Sequence, residues 1–227
     1  PTTQPTTELI IMKNNIIITA AISSLLFVSC KNPAESSTKA SVSEAKAVST
    51  EASSGVKWSF EDSSAITFVG SKVTGSHAGG FKKFSGHFYV DGDTLAPSGH
   101  QIVIDMSSTY SDAEKLTGHL TSPDFFDVVG YPESTFTVTD ITEQSGAKGE
   151  THLLTGNFEF HGVTKSISIP VTVSSTDQAI NVTADFFINR FDFNIKYPGK
   201  TDDLIRKEVV IKFDLKAKAA KTEITAS

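Results

Sequence analysis

The sequence predicts an all-β domain of about eight antiparallel strands with one short helix, over residues 57–217. Three observations carry this. Apolar residues recur with a period of two rather than 3.6. Turn-forming clusters punctuate those runs. Sixteen phenylalanines stand against four tyrosines and one tryptophan, which suits an interior lined by rings without polar tips.

The strands can be read in order. Trp58 and Phe60 open the domain. Ile66, Phe68 and Gly70 then alternate with polar neighbours, as do Phe84, Gly86, Phe88 and Val90. Ile102, Ile104 and Met106 share a side, and Phe136 and Val138 alternate with threonines. Leu154, Gly156, Phe158 and Phe160 oppose Thr155, Asn157 and Glu159. Three more runs follow: Ile167 to Val173, Ile180 to Ile188 and Val209 to Leu215. Asp91-Gly92-Asp93, Ser145-Gly146-Ala147 and Ser175-Thr176-Asp177 read as hairpin turns. One helix is expected over Ser111–Leu120, with Ser111 and Glu114 at capping-box spacing. Strands with one apolar face either pair as a sandwich or close as a barrel, and the alternation leaves both open.

The flanks read differently. Residues 1–11 precede Met12 and look like an upstream gene-start artefact. Residues 12–29 read as a secretory signal: Lys13, then an apolar stretch from Ile16 to Val28, too short to span a bilayer. Cys30, the single cysteine, follows Ser29 at the end of that stretch and resembles the acylated Cys of a bacterial lipobox, although Phe27 departs from the usual aliphatic residue. The alternative is an ordinary secreted protein. Residues 30–56, rich in Ala, Ser, Thr, Glu and Lys, read as a flexible tether reaching roughly 28 Å on random-coil scaling. Residues 218–227 form a similar tail.

Composition excludes several functions. A net charge of −6 without a basic block argues against nucleic acid. One cysteine leaves no disulfide framework. The six histidines show no His-x-x-x-His spacing, so no metal site is predicted. No Gly-x-Ser-x-Gly elbow or glycine-rich phosphate loop occurs, and no catalytic residues are assigned.

Four stretches carry a family resemblance. They are Gly75-Ser76-His77-Ala78-Gly79-Gly80-Phe81, then Gly118-His119-Leu120 through Asp124-Phe125-Phe126-Asp127 to Tyr131-Pro132, then Gly156-Asn157-Phe158-Glu159-Phe160-His161-Gly162, and Asn189-Arg190-Phe191-Asp192-Phe193. In that order the chain resembles the YceI-like, lipid- or polyisoprenoid-binding family. The resemblance implies a lipocalin-like antiparallel β-barrel with an elongated apolar cavity. It also implies a carrier or storage role for isoprenoid lipids, quinones included, in the bacterial envelope, and no enzymatic activity or cofactor beyond the bound lipid. An envelope enzyme using the cavity as a substrate pocket, or a stress-linked structural protein with a filled barrel, stays as the alternative.

Within that resemblance Phe68, Phe84, Phe88, Phe136, Phe158, Phe160, Phe186 and Phe213 are the expected lipid-binding lining. Gly70, Gly86 and Gly156 on the same faces would leave room. His119 and Arg190 are candidates for a polar mouth, with a structural hydrogen bond for His119 and an Arg190–Asp192 ion pair as the plainer roles. Asn194 stands where the family usually has glycine, and the turn is expected to survive because Asn tolerates a left-handed backbone. The expected partners are a lipid ligand, a membrane reached through the Cys30 anchor and, as an open alternative, a second copy in a homodimer. The expected location is a periplasm-facing envelope lipoprotein or a secreted protein.

Overall fold

The computed structural model describes residues 31–48, 53 and 55–219. The signal-like stretch and Cys30 lie outside the described residues.

The strands in chain order are β1 (Thr38–Lys39), β2 (Ser41–Glu44), β3 (Val56–Phe60), β4 (Ala65–Lys72), β5 (Gly75–Phe81), β6 (Phe84–Asp91), β7 (Thr94–Leu95), β8 (Gln101–Asp105), β9 (Thr109–Ser111), β10 (Glu133–Glu143), β11 (His152–Phe160), β12 (Val163–Thr176), β13 (Ala179–Asn189), β14 (Gly199–Lys200) and β15 (Asp203–Ala219). Register joins some of these into single wall members. β3 and β4 run in succession along one side of β15, with Phe60 opposite Ala217 and Ala65 opposite Asp214. β6 and β5 together form the return arm against β3 and β4. β8 and β9 lie in turn against β6 and β5.

The result is eight antiparallel wall members, each beside its neighbour in sequence, closed where β15 pairs with both β13 and the β3–β4 arm. Closure decides between sandwich and barrel: it removes the exposed edges that an open meander would leave.

Alternation sorts residues to the inside, and height along the barrel sorts them again. At one end Trp58, Phe88, Val138, Leu154, Val171, Ile180, Val182 and Leu215 are all buried and fill the interior. His100, fully buried, belongs to this end. Its Nδ1 accepts the Tyr89 N–H at 3.0 Å and its Nε2 is 2.7 Å from the Ala96 carbonyl. That pattern fixes the neutral tautomer with the proton on Nε2, and burial lowers its pKa.

Two sequence expectations need correction. The helix α1 covers Glu114–Leu120 with Ala113 at its N-cap and no side-chain cap bond. Ser111 ends β9 instead; its N–H donates to Thr117 Oγ1 at 2.9 Å and its Oγ–H to the Ala113 carbonyl at 2.8 Å, bracing strand to helix rather than closing a capping box. The tether, too, is not free along its length. Residues 33–36 form a 3₁₀ turn capped by Asn32, and β1 and β2 join the barrel wall. Ala34 and Ala40 are buried, and Val42 packs against the core. Small apolar residues in an Ala/Ser/Lys background gave little periodic signal, yet Ala40 and Val42 are two apart and face in together.

Candidate functional site

Above the filled end the interior is hollow. A cavity of about 140 Å³ is enclosed by side chains from the wall strands and from the loops after α1 and β13. Its lining is apolar except for Ser134 and Arg190. Gly70 contributes open space, since a side chain built there would meet nothing within 4 Å.

Phenylalanines give the cavity its shape. Phe158 stacks on Phe160 with centroids 5.4 Å apart and meets the edge of Phe193 at 5.1 Å. Phe126 bridges Phe160 at 5.5 Å and Phe68 at 6.0 Å, and Phe186 meets Phe213 at 6.1 Å. Phe193 is brought inward by the 3₁₀ turn Arg190–Phe193, which ends on Asn194 at φ 60°, ψ 11°. The left-handed turn therefore forms with Asn in place of Gly.

Of the eight expected lining rings, Phe68, Phe136, Phe158, Phe160, Phe186 and Phe213 border the cavity. Phe84 and Phe88 do not. Phe88 is 1% exposed and packed against Phe60 at 5.0 Å and His100 at 5.7 Å, in the filled end. Phe84 borders a separate cleft where β3–β4 and β5–β6 part. Nor do Gly86 and Gly156 leave room, because the rings of Phe60 and Phe136 lie directly over them. Alternation assigns a face; it does not say at what height along the barrel the interior is solid.

Four aromatic residues escaped that reading. Phe81, Phe125 and Phe126 line the cavity, and Tyr197 borders its mouth. The signal for the middle pair was present: two adjacent rings between Asp124 and Asp127 in a loop would not stay in water.

The mouth lies where α1 and its following loop meet the β13–β15 connection. An outer pocket of about 300 Å³ shares Phe68, Gly70, Leu120, Phe125 and Ile205 with the inner cavity. Its rim is polar, with Lys72, His77, His119, Lys200 and Asp203. His119 stands edge-on to both Phe125 and Tyr197 at 4.9 Å, and its Nε2 lies 2.9 Å from Asp124 Oδ2. The paired Lys72 holds the Asp203 carboxyl below the usual range.

Arg190 borders the inner cavity and is 3% exposed. Its guanidinium bonds backbone rather than Asp192. Nε donates to the Arg206 carbonyl at 3.0 Å, Nη1 to that of Ile195 at 2.6 Å and Nη2 to that of Ile205 at 3.2 Å. Phe191 lies under the guanidinium at 4.6 Å. Burial lowers its pKa, but an arginine retains its charge at neutral pH. One cation thus ties the β13–β15 connection to the barrel while facing an apolar hollow. Ser134, the one hydroxyl in the lining, donates to the Glu159 carbonyl at 2.7 Å and so is engaged as a structural donor.

A closed antiparallel meander around an apolar cavity with a polar-rimmed mouth defines a lipocalin-like barrel. The YceI-like domain matches residues 58–217, and the chain belongs to that family. Over 143 residues it is 31% identical to a UPF0312 protein of Pseudomonas putida strain GB-1, covering 59% of this chain and 71% of the relative. It superposes on the crystal structure of Burkholderia cenocepacia BcnA with a TM-score of 0.57 at 26% identity, covering 68% of this chain and 96% of that one. A structure described as a polyisoprenoid-binding domain from Saccharophagus degradans, implicated in plant cell wall breakdown, shares the fold with a TM-score of 0.59. Its identity is 19%, with 73% of this chain and 99% of that chain covered.

Proposed function

We propose that this chain binds an isoprenoid or similar amphiphilic lipid, of quinone or polyprenyl type, as a carrier or storage protein of the bacterial envelope. The observation that carries this is the polarity gradient of the cavity: aromatic and aliphatic within, polar only at Arg190, Ser134 and the rim. An apolar tail gains about 25 cal/mol for each Å² it removes from water inside such a lining. A headgroup oxygen would then lie at the mouth, near the His119 ring, while Arg190 stands deeper, on the wall of the inner cavity. The polyisoprenoid-binding description of the Saccharophagus relative agrees with this reading. The proposed role is binding rather than catalysis, in keeping with a lining hydroxyl that is committed to a backbone carbonyl.

Acylation of Cys30 would hold the barrel at a membrane, where its ligand resides. Mass spectrometry of lipids extracted from the purified protein tests the binding. A co-purifying prenyl lipid is expected; protein that carries none and takes up no added quinone would refute it. For the anchor, Cys30→Ser should release the protein from the membrane fraction, and unchanged partitioning would refute acylation at that residue.

A further inference from the structure

The barrel wall is not uniform. β11 faces β12 over nine residue pairs, from His152–Val171 to Phe160–Val163, and β13 faces β15 over ten, from Ile180 to Asn189. β12 and β13 face each other over only five, from Thr172–Thr183 to Thr176–Ala179. Beyond those rungs the two strands separate. The inward residues on either side of the gap, Ile167 and Ile169 on β12 and Phe186 and Ile188 on β13, all line the cavity.

The gap is filled by the chain's own N-terminal segment. Ser41–Glu44 run antiparallel to β12, with Val42 opposite Ile167. Thr38 and Lys39 run parallel to β13 beside Phe186 and Phe187, and the Ala40 N–H donates to the Phe187 carbonyl at 3.0 Å. One short stretch therefore meets two strands in two opposite senses. Its apolar contribution to the interior is Ala40 and Val42 alone. On the outside it is held by the exposed Lys165–Glu44 pair at 2.7 Å, by a Ser37–Asp185 hydrogen bond and by the mutual bonds of Lys46 and Asn157. Of these, the exposed Lys165–Glu44 ion pair is of a kind that contributes little.

We propose that residues 37–44 are a removable strap closing a lateral door in the barrel wall, through which a long-chain ligand reaches the cavity. The inference rests on the lipid-binding reading. A long apolar chain reaches the hollow either by threading end-on past His119, Phe125 and Tyr197 at the mouth, or sideways through the wall. Parting any other pair of wall members breaks a direct ladder of the barrel itself. Parting the strap breaks six paired positions, against the five of the β8–β10 ladder, but it leaves every direct ladder of the barrel closed and withdraws only two small side chains from the interior. Local opening follows the weakest cooperative unit. The uncovered edges of β12 and β13 are ones that a strand adds to and leaves by main-chain bonds.

The test uses the full chain with Cys30→Ser, so that engineered thiols pair only with each other. Ser41→Cys with Ser168→Cys joins two residues that face each other across the β2–β12 ladder, and Glu44→Cys with Lys165→Cys makes a second lock at its exposed end. Uptake of a dansyl-tagged geranylgeranyl chain is followed by stopped-flow fluorescence in oxidised and reduced protein. The expected result is uptake at least tenfold slower in the oxidised protein, restored by dithiothreitol, with the same equilibrium affinity. Val42→Asp, which puts a carboxylate on the inward side of the strap, should speed uptake. Equal rates in oxidised and reduced protein would overturn the door while leaving lipid binding standing. No uptake in any form overturns both. Cross-linked dimers on a non-reducing gel would overturn the assignment of the strap to its own barrel.

Discussion

Two phenylalanines that look alike in sequence should behave differently. Phe88 and Phe158 both sit on apolar faces of period-two strands, but Phe88 is enclosed on all sides, while Phe158 is partly buried and borders the hollow. Phe88→Ala removes a ring from a filled region held by Phe60 and His100, so the cost is that of a new cavity, about 3–5 kcal/mol. At roughly 2–4 °C per kcal/mol for a domain of this size, the unfolding midpoint should fall by about 6–20 °C. Affinity for lipid in the fraction that stays folded should not change. Phe158→Trp has the opposite signature. The larger ring extends into existing space, so the stability cost should stay below about 1.5 kcal/mol, against the ~1–3 kcal/mol of overpacking a solid core. The bound lipid would lose on the order of 50 Å² of apolar contact, or ~1.3 kcal/mol, close to a tenfold weaker Kd. Thermal unfolding and titration with a fluorescent prenyl probe on both variants give the answer. A Phe158→Trp protein destabilised by more than about 3 kcal/mol, with wild-type affinity, would refute the division into filled and hollow halves.

Arg190→Met should lower stability by about 2–4 kcal/mol in chemical denaturation, since the carbonyls of Ile195, Ile205 and Arg206 lose a donor while relief from a buried charge returns part of the cost. For His100, burial depresses the pKa in the folded protein below its unfolded value of about 6.5, so the unfolded chain takes the proton first. Stability should therefore be full above about pH 6.5 and decline as pH falls toward the folded-state value, and midpoints measured across that range should decline less in His100→Gln. Asn194→Ala should cost about 1 kcal/mol, because alanine lacks the local hydrogen bonding that lets Asn sit at φ 60°, whereas Asn194→Gly should stay within about 0.5 kcal/mol of wild type.

The sequence showed more of the wall than of what the wall encloses. Period-two alternation is dictated by the pleat, so Ile66–Phe68–Gly70 or Ile180–Val182 announce their face at once. Height along the barrel depends on which distant strands stand opposite, and nothing local encodes that. Phe84 and Phe88 were misplaced for this reason, and Phe60 over Gly86 is a long-range contact of the same kind. Loop residues were harder still. Phe125 turns inward because α1 and the β13–β15 connection bring Tyr197 and His119 against it, a three-ring contact between segments far apart in sequence. Arg190 suggested a charge pair with Asp192 two residues away; its partners instead are carbonyls supplied by the chain folding back at Ile205 and Arg206. The strap has the composition of a linker. Two inward residues, Ala40 and Val42, were too small a signal against it.

β15 is the closing member of the wall, and it comes last in the domain. One of its edges faces β13 over ten positions while the other serves β4 and β3, so Ala65 near the start of the domain meets Asp214 near its end. A chain still lacking residues 203–219 has seven wall members in sequence and two raw edges at once, on β4 and on β13. Such edges invite pairing with other chains. Assembly that waits on contacts between opposite ends of a domain is slow, in the millisecond-to-second range. The same arrangement makes the barrel divisible: cut in the β14–β15 turn, it leaves a receptor with a strand-shaped vacancy and a 203–219 peptide that fits both sides of it. Supplying that peptide separately would turn closure of the barrel into a switchable, bimolecular event.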